Sequence, residues 1–211
     1  MLVYIYMKLK GKERVMKNYN HASSPIIEKI EARFITEYEK TYVIPRLHNL
    51  YEKVRYHFRT ADYVYNAMRN ERLHYGNIIN VLSEDEFTEW YNEMLRINPP
   101  IIEVGMPCTI YYYTDHRAAT VTMVEYYKDG RKDAAGNRIP CRIGTNLNRT
   151  RCKDYYAGDY DVIPLDEHEM HIIHDVFTIR RHGHWIMEGQ SLKDGCSLEL
   201  GYWSHYIDPS F

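Results

Sequence analysis

The spacing of apolar residues changes near the middle of the chain, from every third or fourth position to every second. In the first half, an apolar stripe with helical spacing follows Ser24-Pro25, an N-cap with proline at the first helical position. A second stripe follows the capping box Ser83-Glu84-Asp85-Glu86. These patterns predict an N-terminal helical module of three or four helices.

A proline pair at Pro99-Pro100 interrupts the helical pattern and predicts the boundary between two regions. We expect residues 1–98 to form the helical module, with a role in self-association, and residues 99–211 to form a β-rich ligand-binding domain. Alternating Thr, Val and Tyr predict strands, for example over residues 109–113 and 119–127. The predicted fold class is α+β, with the helical module followed by an antiparallel, barrel-like or strongly bent β domain.

Charge is unevenly distributed in the second half, although the net charge of the chain is only −2. Residues 131–153 carry seven Lys or Arg and one acid, whereas residues 154–175 carry seven acids and no Lys or Arg. The two blocks could pair across a hairpin, or they could form a phosphate-binding surface beside an acidic rim. The sequence leaves both interpretations open.

Cysteine usage and hydropathy indicate the compartment. The 4 cysteines include no Cys-x-x-Cys pair, so we expect reduced thiols in a cytoplasmic protein. The apolar run at residues 1–7 is too short to span a membrane, and no membrane association is expected.

No motif in the sequence indicates catalysis. The chain contains neither a Gly-x-Ser-x-Gly elbow nor a P-loop, and we expect no catalytic residues and no cofactor. His168, His171 and His174 are spaced by three, which does not bring the imidazoles together on a helix or a strand. We therefore expect no metal site there.

Tyrosine is unusually abundant, with 21 Tyr against 5 Phe and 3 Trp. Aromatic faces, arginine forks and a carboxylate are what a nucleotide requires, for its base, its phosphates and its sugar. In this interpretation Arg117 and Arg180 clamp phosphates, Tyr113 or Trp185 stacks on the base, and Asp115 accepts from a ribose hydroxyl. The complete set of predicted ligand-binding residues is Tyr111, Tyr113, Asp115, Arg117, Arg142, Arg149, Arg151, Arg180 and Trp185.

The order of short motifs in the second half resembles a known group of proteins. Thr114-Asp115-x-Arg117-x-x-Thr120-Val121 is followed by Gly183-x-Trp185, Gly189-x-Ser191-Leu192-Lys193 and a terminal Tyr206-x-Asp208-x-Ser210-Phe211. Over residues 103–211 this order resembles a small β-rich family of phages and prophages. In size and type the domain is also similar to phage anti-defence sponges, including those that counter Thoeris immunity and those that capture cyclic oligonucleotides.

The resemblance implies a viral, non-enzymatic protein that sequesters a nucleotide-derived immune signal, of the cyclic ADP-ribose or cyclic oligonucleotide type. It would act as a homo-oligomer in the cytoplasm of an infected host cell. Two alternatives remain open. The basic hairpin expected at residues 131–153 could bind nucleic acid, or the helical half could bind and inhibit a host protein.

Overall fold

The computed structural model describes residues 24–34, 36–154, 159–180 and 183–207, and its first half is helical. The α-helices are α1 (Pro25–Glu31), α2 (Ile44–Val54), α3 (Ala61–Asn70), α4 (Arg72–Ile79) and α5 (Glu84–Ile97). A π-helical turn, Glu39–Val43, leads into α2, and a 3-10 turn, Arg55–His57, follows it. None of the helices in this part of the chain is long and apolar enough to cross a membrane.

Local capping explains most of the helix boundaries. The Ser24 side chain accepts a hydrogen bond from the Ile26 backbone, and the predicted capping box between Ser83 and Glu86 is confirmed. The prediction of three or four helices is wrong, because the described residues form five α-helices. One reason is Glu71, whose ψ of 45° leaves the helical region and separates α3 from α4.

The second half forms an antiparallel closed barrel, which confirms the predicted α+β class. Its strands are β1 (Pro107–Tyr111), β2 (His116–Tyr126), β3 (Pro140–Leu147), β6 (Asp175–Ile179), β7 (Trp185–Met187) and β8 (Ser197–Leu200), with β8 pairing back onto β1. A separate two-stranded ribbon is formed by β4 (Arg149–Asp154) and β5 (Asp159–Ile163). Closure leaves the barrel without an unpaired edge strand.

The two halves pack against each other through the connection between α2 and α3. Tyr56 is buried in the apolar core of the barrel, and Phe58 packs against the same core. Trp185 on β7 donates from its indole nitrogen to the Tyr56 carbonyl at 2.9 Å. The helical half is therefore anchored to the barrel by side chains that complete the barrel core.

Residues 131–153 do not form the expected hairpin. Residues 140–147 are β3, which lies between β2 and β6 in the barrel, whereas β4 pairs only with β5. The single residue Asn148 separates β3 from β4, so the basic segment is divided between the barrel and the ribbon. The apolar run at residues 1–7 and the terminal residues 208–211 lie outside the described residues.

Candidate functional site

A groove on the outer wall of the barrel brings together two of the predicted arginines, Arg142 and Arg180. Strand pairing places Arg142 beside Glu125 on β2 and Thr178 on β6. These side chains point outward, because the alternate residues of the same strands fill the barrel core. We call this feature the outer-wall groove; it has a volume of about 840 Å³ and is lined by residues 125–128, 141, 142 and 178–180.

Arg142 is held in place by two carboxylates. Its guanidinium donates to Glu125 at 3.0 Å and to Glu188 at 2.9 Å. The hydrogen bonds to Glu188 and Glu125 raise the pKa of Arg142 above its ordinary value. Its Nε is buried and makes no hydrogen bond to any described residue. Arg142 is therefore a fixed cation whose terminal nitrogens are already occupied.

Arg180 offers more donor capacity than Arg142. One terminal nitrogen donates to the Gln190 carbonyl at 3.2 Å, and the salt bridges among the described residues do not include Arg180. Its Nε and the Thr178 hydroxyl are buried without a hydrogen-bond partner in the described part of the chain. Unpaired buried polar groups are costly, and a bound polar ligand is one way of satisfying them.

Tyrosine rings and further cations border the same groove. The Arg138 guanidinium carbon lies 4.5 Å from the Tyr126 ring centroid, and that of Arg131 lies 4.3 Å from the Tyr127 ring centroid. Lys128 is exposed and lies in the turn that follows β2. Together with Arg142 and Arg180, these residues supply positive charge and aromatic surface at one place.

The opposite end of the barrel holds a second group of predicted residues, around the turn between β1 and β2. The Arg117 guanidinium carbon lies 5.4 Å from the Tyr112 ring centroid. The Tyr111 hydroxyl shares a 2.6 Å hydrogen bond with the Tyr202 hydroxyl, and Tyr113 is fully exposed. In the same turn, the Asp115 carbonyl accepts from the Tyr112 backbone.

Arg117 and Arg180 cannot clamp the same phosphate. Arg117 lies at the start of β2, whereas Thr178, just before Arg180, pairs with Arg142 near the other end of β2, at Tyr126. Arg117 and Glu125, the strand partner of Arg142, are roughly 25–30 Å apart at the usual rise per strand residue. The two arginines therefore do not meet at one phosphate, and the expectation that both clamp phosphates of a ligand stays a prediction.

Trp185 is not available for base stacking. It is 1% exposed and contributes to the barrel core. The prediction that Trp185 stacks on a base is wrong, because β7 turns this ring inward. A strand of only three residues gives the sequence too little alternation to fix which side chains face the core.

The remaining predicted arginines lie on the ribbon, outside the groove. Arg149 is 3.3 Å from Glu169, and neighbouring Lys153 is 2.6 Å from Asp161. Arg151 is exposed, and it lies opposite Asp161 in the strand register of the ribbon. Pairing between the basic and acidic blocks, one of the two interpretations of the charge pattern, is thus confirmed for Arg149 and Lys153.

In the described part of the chain, no group of three or more His, Cys, Asp or Glu side chains is placed to hold a metal ion. His168 and His171 line an open depression with Asp166 and Glu167.

Sequence reasoning missed Thr178 and Lys128 as groove residues. The position of Thr178 beside Arg142 depends on the pairing of β6 with β3, which was not predicted. No family model matches the chain, and comparison with curated proteins and with solved structures found no match either.

Proposed function

We propose that this protein is a phage-encoded, non-enzymatic binder that sequesters a nucleotide-derived signal in the cytoplasm of an infected cell. The ligand class is the cyclic ADP-ribose or cyclic oligonucleotide type, and the binding site is the outer-wall groove. The resemblance of residues 103–211 to a phage family supports the origin. The chemistry of the groove supports the ligand class.

The observation that carries this proposal is the convergence of arginine and tyrosine on one concave surface. The groove volume of about 840 Å³ is in the range of small-molecule sites. Arg180 would donate to phosphate oxygens through the nitrogens that its bond to Gln190 leaves available, while Arg142 contributes its fixed charge. Tyr126 or Tyr127 would supply the aromatic face for a base.

Sequestration, rather than conversion, is proposed because fixed donors and aromatic faces are sufficient for binding. A tight binder gains affinity from groups that are already in place before the ligand arrives. Arg142 meets this condition, since two carboxylates hold its guanidinium. Proton transfer to or from the ligand is not required.

The test is ligand depletion followed by recovery. Purified protein is incubated with a panel of cyclic nucleotides and ADP-ribose derivatives and then heated, and the supernatant is analysed by mass spectrometry before and after heating. We expect one compound to be depleted and then released intact. Arg180→Gln should lose this depletion, whereas Arg151→Gln, an exposed arginine on the ribbon, should keep it. Release of a new mass would instead indicate an enzyme, and no depletion by the wild type would contradict the proposal.

A second proposal, self-association through the helical half, is favoured by an exposed apolar patch. Tyr38 and Tyr42 are about half exposed, with ring centroids 5.0 Å apart, and Leu73 on α4 is fully exposed. Asn77, one helical turn after Leu73, donates to the Tyr38 hydroxyl at 2.8 Å, which joins the three apolar side chains into one patch.

Sedimentation velocity tests this patch as a contact between copies of the chain. Leu73→Ser should shift the distribution toward monomer, whereas Leu192→Ser, at an exposed leucine outside the helical half, should not. A wild-type protein that stays monomeric over the accessible concentration range would contradict self-association.

A further inference from the structure

A second cluster of polar side chains lies where the helical half meets the barrel, next to the connection that holds Tyr56. Gly183, before β7, approaches this connection so closely that a Cβ built on it would be 2.2 Å from the His57 carbonyl oxygen. The same Cβ would be 3.0 Å from Arg59 Nε. We call this feature the Arg59 cleft and define it by His57, Arg59, Tyr63, Tyr91 and His184.

Arg59 is a partly buried cation without a carboxylate partner in the described part of the chain. A terminal nitrogen lies 2.9 Å from His184 Nε2, and the guanidinium carbon lies 4.7 Å from the Tyr63 ring centroid. Its Nε is buried and makes no hydrogen bond to a described residue. Burial lowers the pKa of Arg59, as expected for a charge that loses water without gaining an anion.

Other arginines of the chain show the arrangement that Arg59 lacks. Arg33, Arg55, Arg96, Arg131, Arg142 and Arg149 each lie against a carboxylate. Most of these paired arginines are more exposed to solvent than Arg59. A buried charge is less well solvated by water, so Arg59 depends more on a nearby opposite charge than they do. Among the described residues, Arg59 therefore has no carboxylate paired with it to balance its charge.

Two further polar groups at the cleft have no partner among the described residues. Tyr91 is 1% exposed, and its hydroxyl makes no hydrogen bond to a described residue. Burial raises the pKa of Tyr91, while the charge of Arg59 lowers this pKa and the charge of Asp133 raises it. His57 Nδ1 is likewise buried and unsatisfied, and the His57 and His184 ring centroids are 5.4 Å apart. A hydroxyl and an imidazole N–H can both donate to an oxyanion.

We propose that the Arg59 cleft binds a small oxyanion, a phosphate or a carboxylate group. The arginine supplies charge and a forked donor, the Tyr91 hydroxyl supplies a neutral donor, and the two imidazoles border the anion. His184 is exposed, so this side of the cluster borders solvent. The Arg180 backbone donates to the His184 carbonyl at 2.9 Å, so this site is next to the outer-wall groove. The proposal does not depend on the function proposed for that groove.

The experiment is a titration of the full chain with inorganic phosphate and, in parallel, with acetate, at constant ionic strength set with chloride. Histidine imidazole resonances are followed by NMR. We expect the resonances of His57 and His184 to shift saturably with at least one of the two anions. Tighter binding of phosphate would indicate a phosphorylated ligand. Tighter binding of acetate would indicate a carboxylate ligand.

Variants separate this cleft from other basic surfaces. Arg59→Gln should weaken binding by about tenfold or more, and Tyr91→Phe should weaken it by a smaller factor. Arg69→Gln, at an exposed arginine on helix α3, which follows Arg59 in the chain, should leave it unchanged.

Equal binding by the wild type and by folded Arg59→Gln would overturn the proposal, as would shifts that do not saturate with either anion. If Arg59→Gln does not fold, Tyr91→Phe decides the question, because it removes only a hydroxyl that makes no hydrogen bond to a described residue. Unchanged binding by Tyr91→Phe would then contradict the assigned site.

Discussion

Replacing Gly183 by alanine is the sharpest test of how the helical half is held against the barrel. Gly183 has a φ of +76°, and the new methyl group would be 2.2 Å from the His57 carbonyl oxygen. Gly189 is the matched control, since its φ is +82° but no atom of the described residues lies within 4 Å of a Cβ built there. Both substitutions introduce the same backbone strain, and only Gly183→Ala introduces a steric clash.

The expected magnitudes follow from these two contributions. A non-glycine residue in the left-handed region costs about 1–2 kcal/mol, which applies at both positions. A methyl group forced into packed structure adds about 1–3 kcal/mol, which applies only at Gly183. We therefore expect the free energy of unfolding to fall by about 1 kcal/mol for Gly189→Ala and by about 3 kcal/mol for Gly183→Ala.

Urea denaturation followed by both circular dichroism and tryptophan fluorescence measures this difference. The two signals report on helix content and on the surroundings of the tryptophans, which lie in both halves. We expect them to change together in the wild type, because Tyr56 completes the barrel core. Equal destabilisation by the two alanine variants would refute the close contact between Gly183 and the helical half.

Three further predictions concern stability and the groove. Tyr56→Ala should lower the free energy of unfolding by about 3–5 kcal/mol and Tyr56→Phe by about 1 kcal/mol, since the phenylalanine loses only the hydrogen bond from Arg55; urea titration distinguishes them. Burial, followed by the charges of Arg59 and His184, lowers the pKa of His57 from 6.5 to about 4, so the unfolded chain takes up the proton first. The contribution of His57 to the free energy of unfolding should therefore be fully present above pH 6.5 and should fall by on the order of 3 kcal/mol by pH 4. In thermal melts, His57→Gln should reduce this dependence of stability on pH. Thr178→Val removes a buried hydroxyl without a described partner, so it should leave stability unchanged or raise it by about 1 kcal/mol while weakening ligand retention in the groove; a large loss of stability would show that the hydroxyl is needed for folding.

Local signals in the sequence were sufficient for several elements. Ser24-Pro25 and the Ser83 capping box predicted two helix starts because a cap depends only on residues within one turn. The alternation after Pro99-Pro100 predicted β1 and β2 for a similar reason. The closed barrel depends on β8 pairing with β1, a contact between residues about ninety positions apart, and only its general character was predicted.

The candidate site was predicted less well, because side-chain direction depends on strand pairing. Arg142 and Arg180 were both named from their chemistry, but their proximity depends on the pairing of β3 with β6. The same pairing separates Arg117 from Arg180. Trp185 shows how a three-residue strand leaves the inward face undetermined. The sequence did not single out Arg59, because the residues around it in the chain do not reveal that folding partly buries its guanidinium.

The measurement that tests the central claim most directly is NMR mapping of the ligand retained in the depletion assay. The account predicts that resonances of Tyr126, Tyr127 and Arg180 shift on addition of that ligand, while those of Tyr113 and Arg117 at the opposite end of the barrel do not. Shifts confined to the Tyr113 and Arg117 end would contradict the assignment of the outer-wall groove as the binding site.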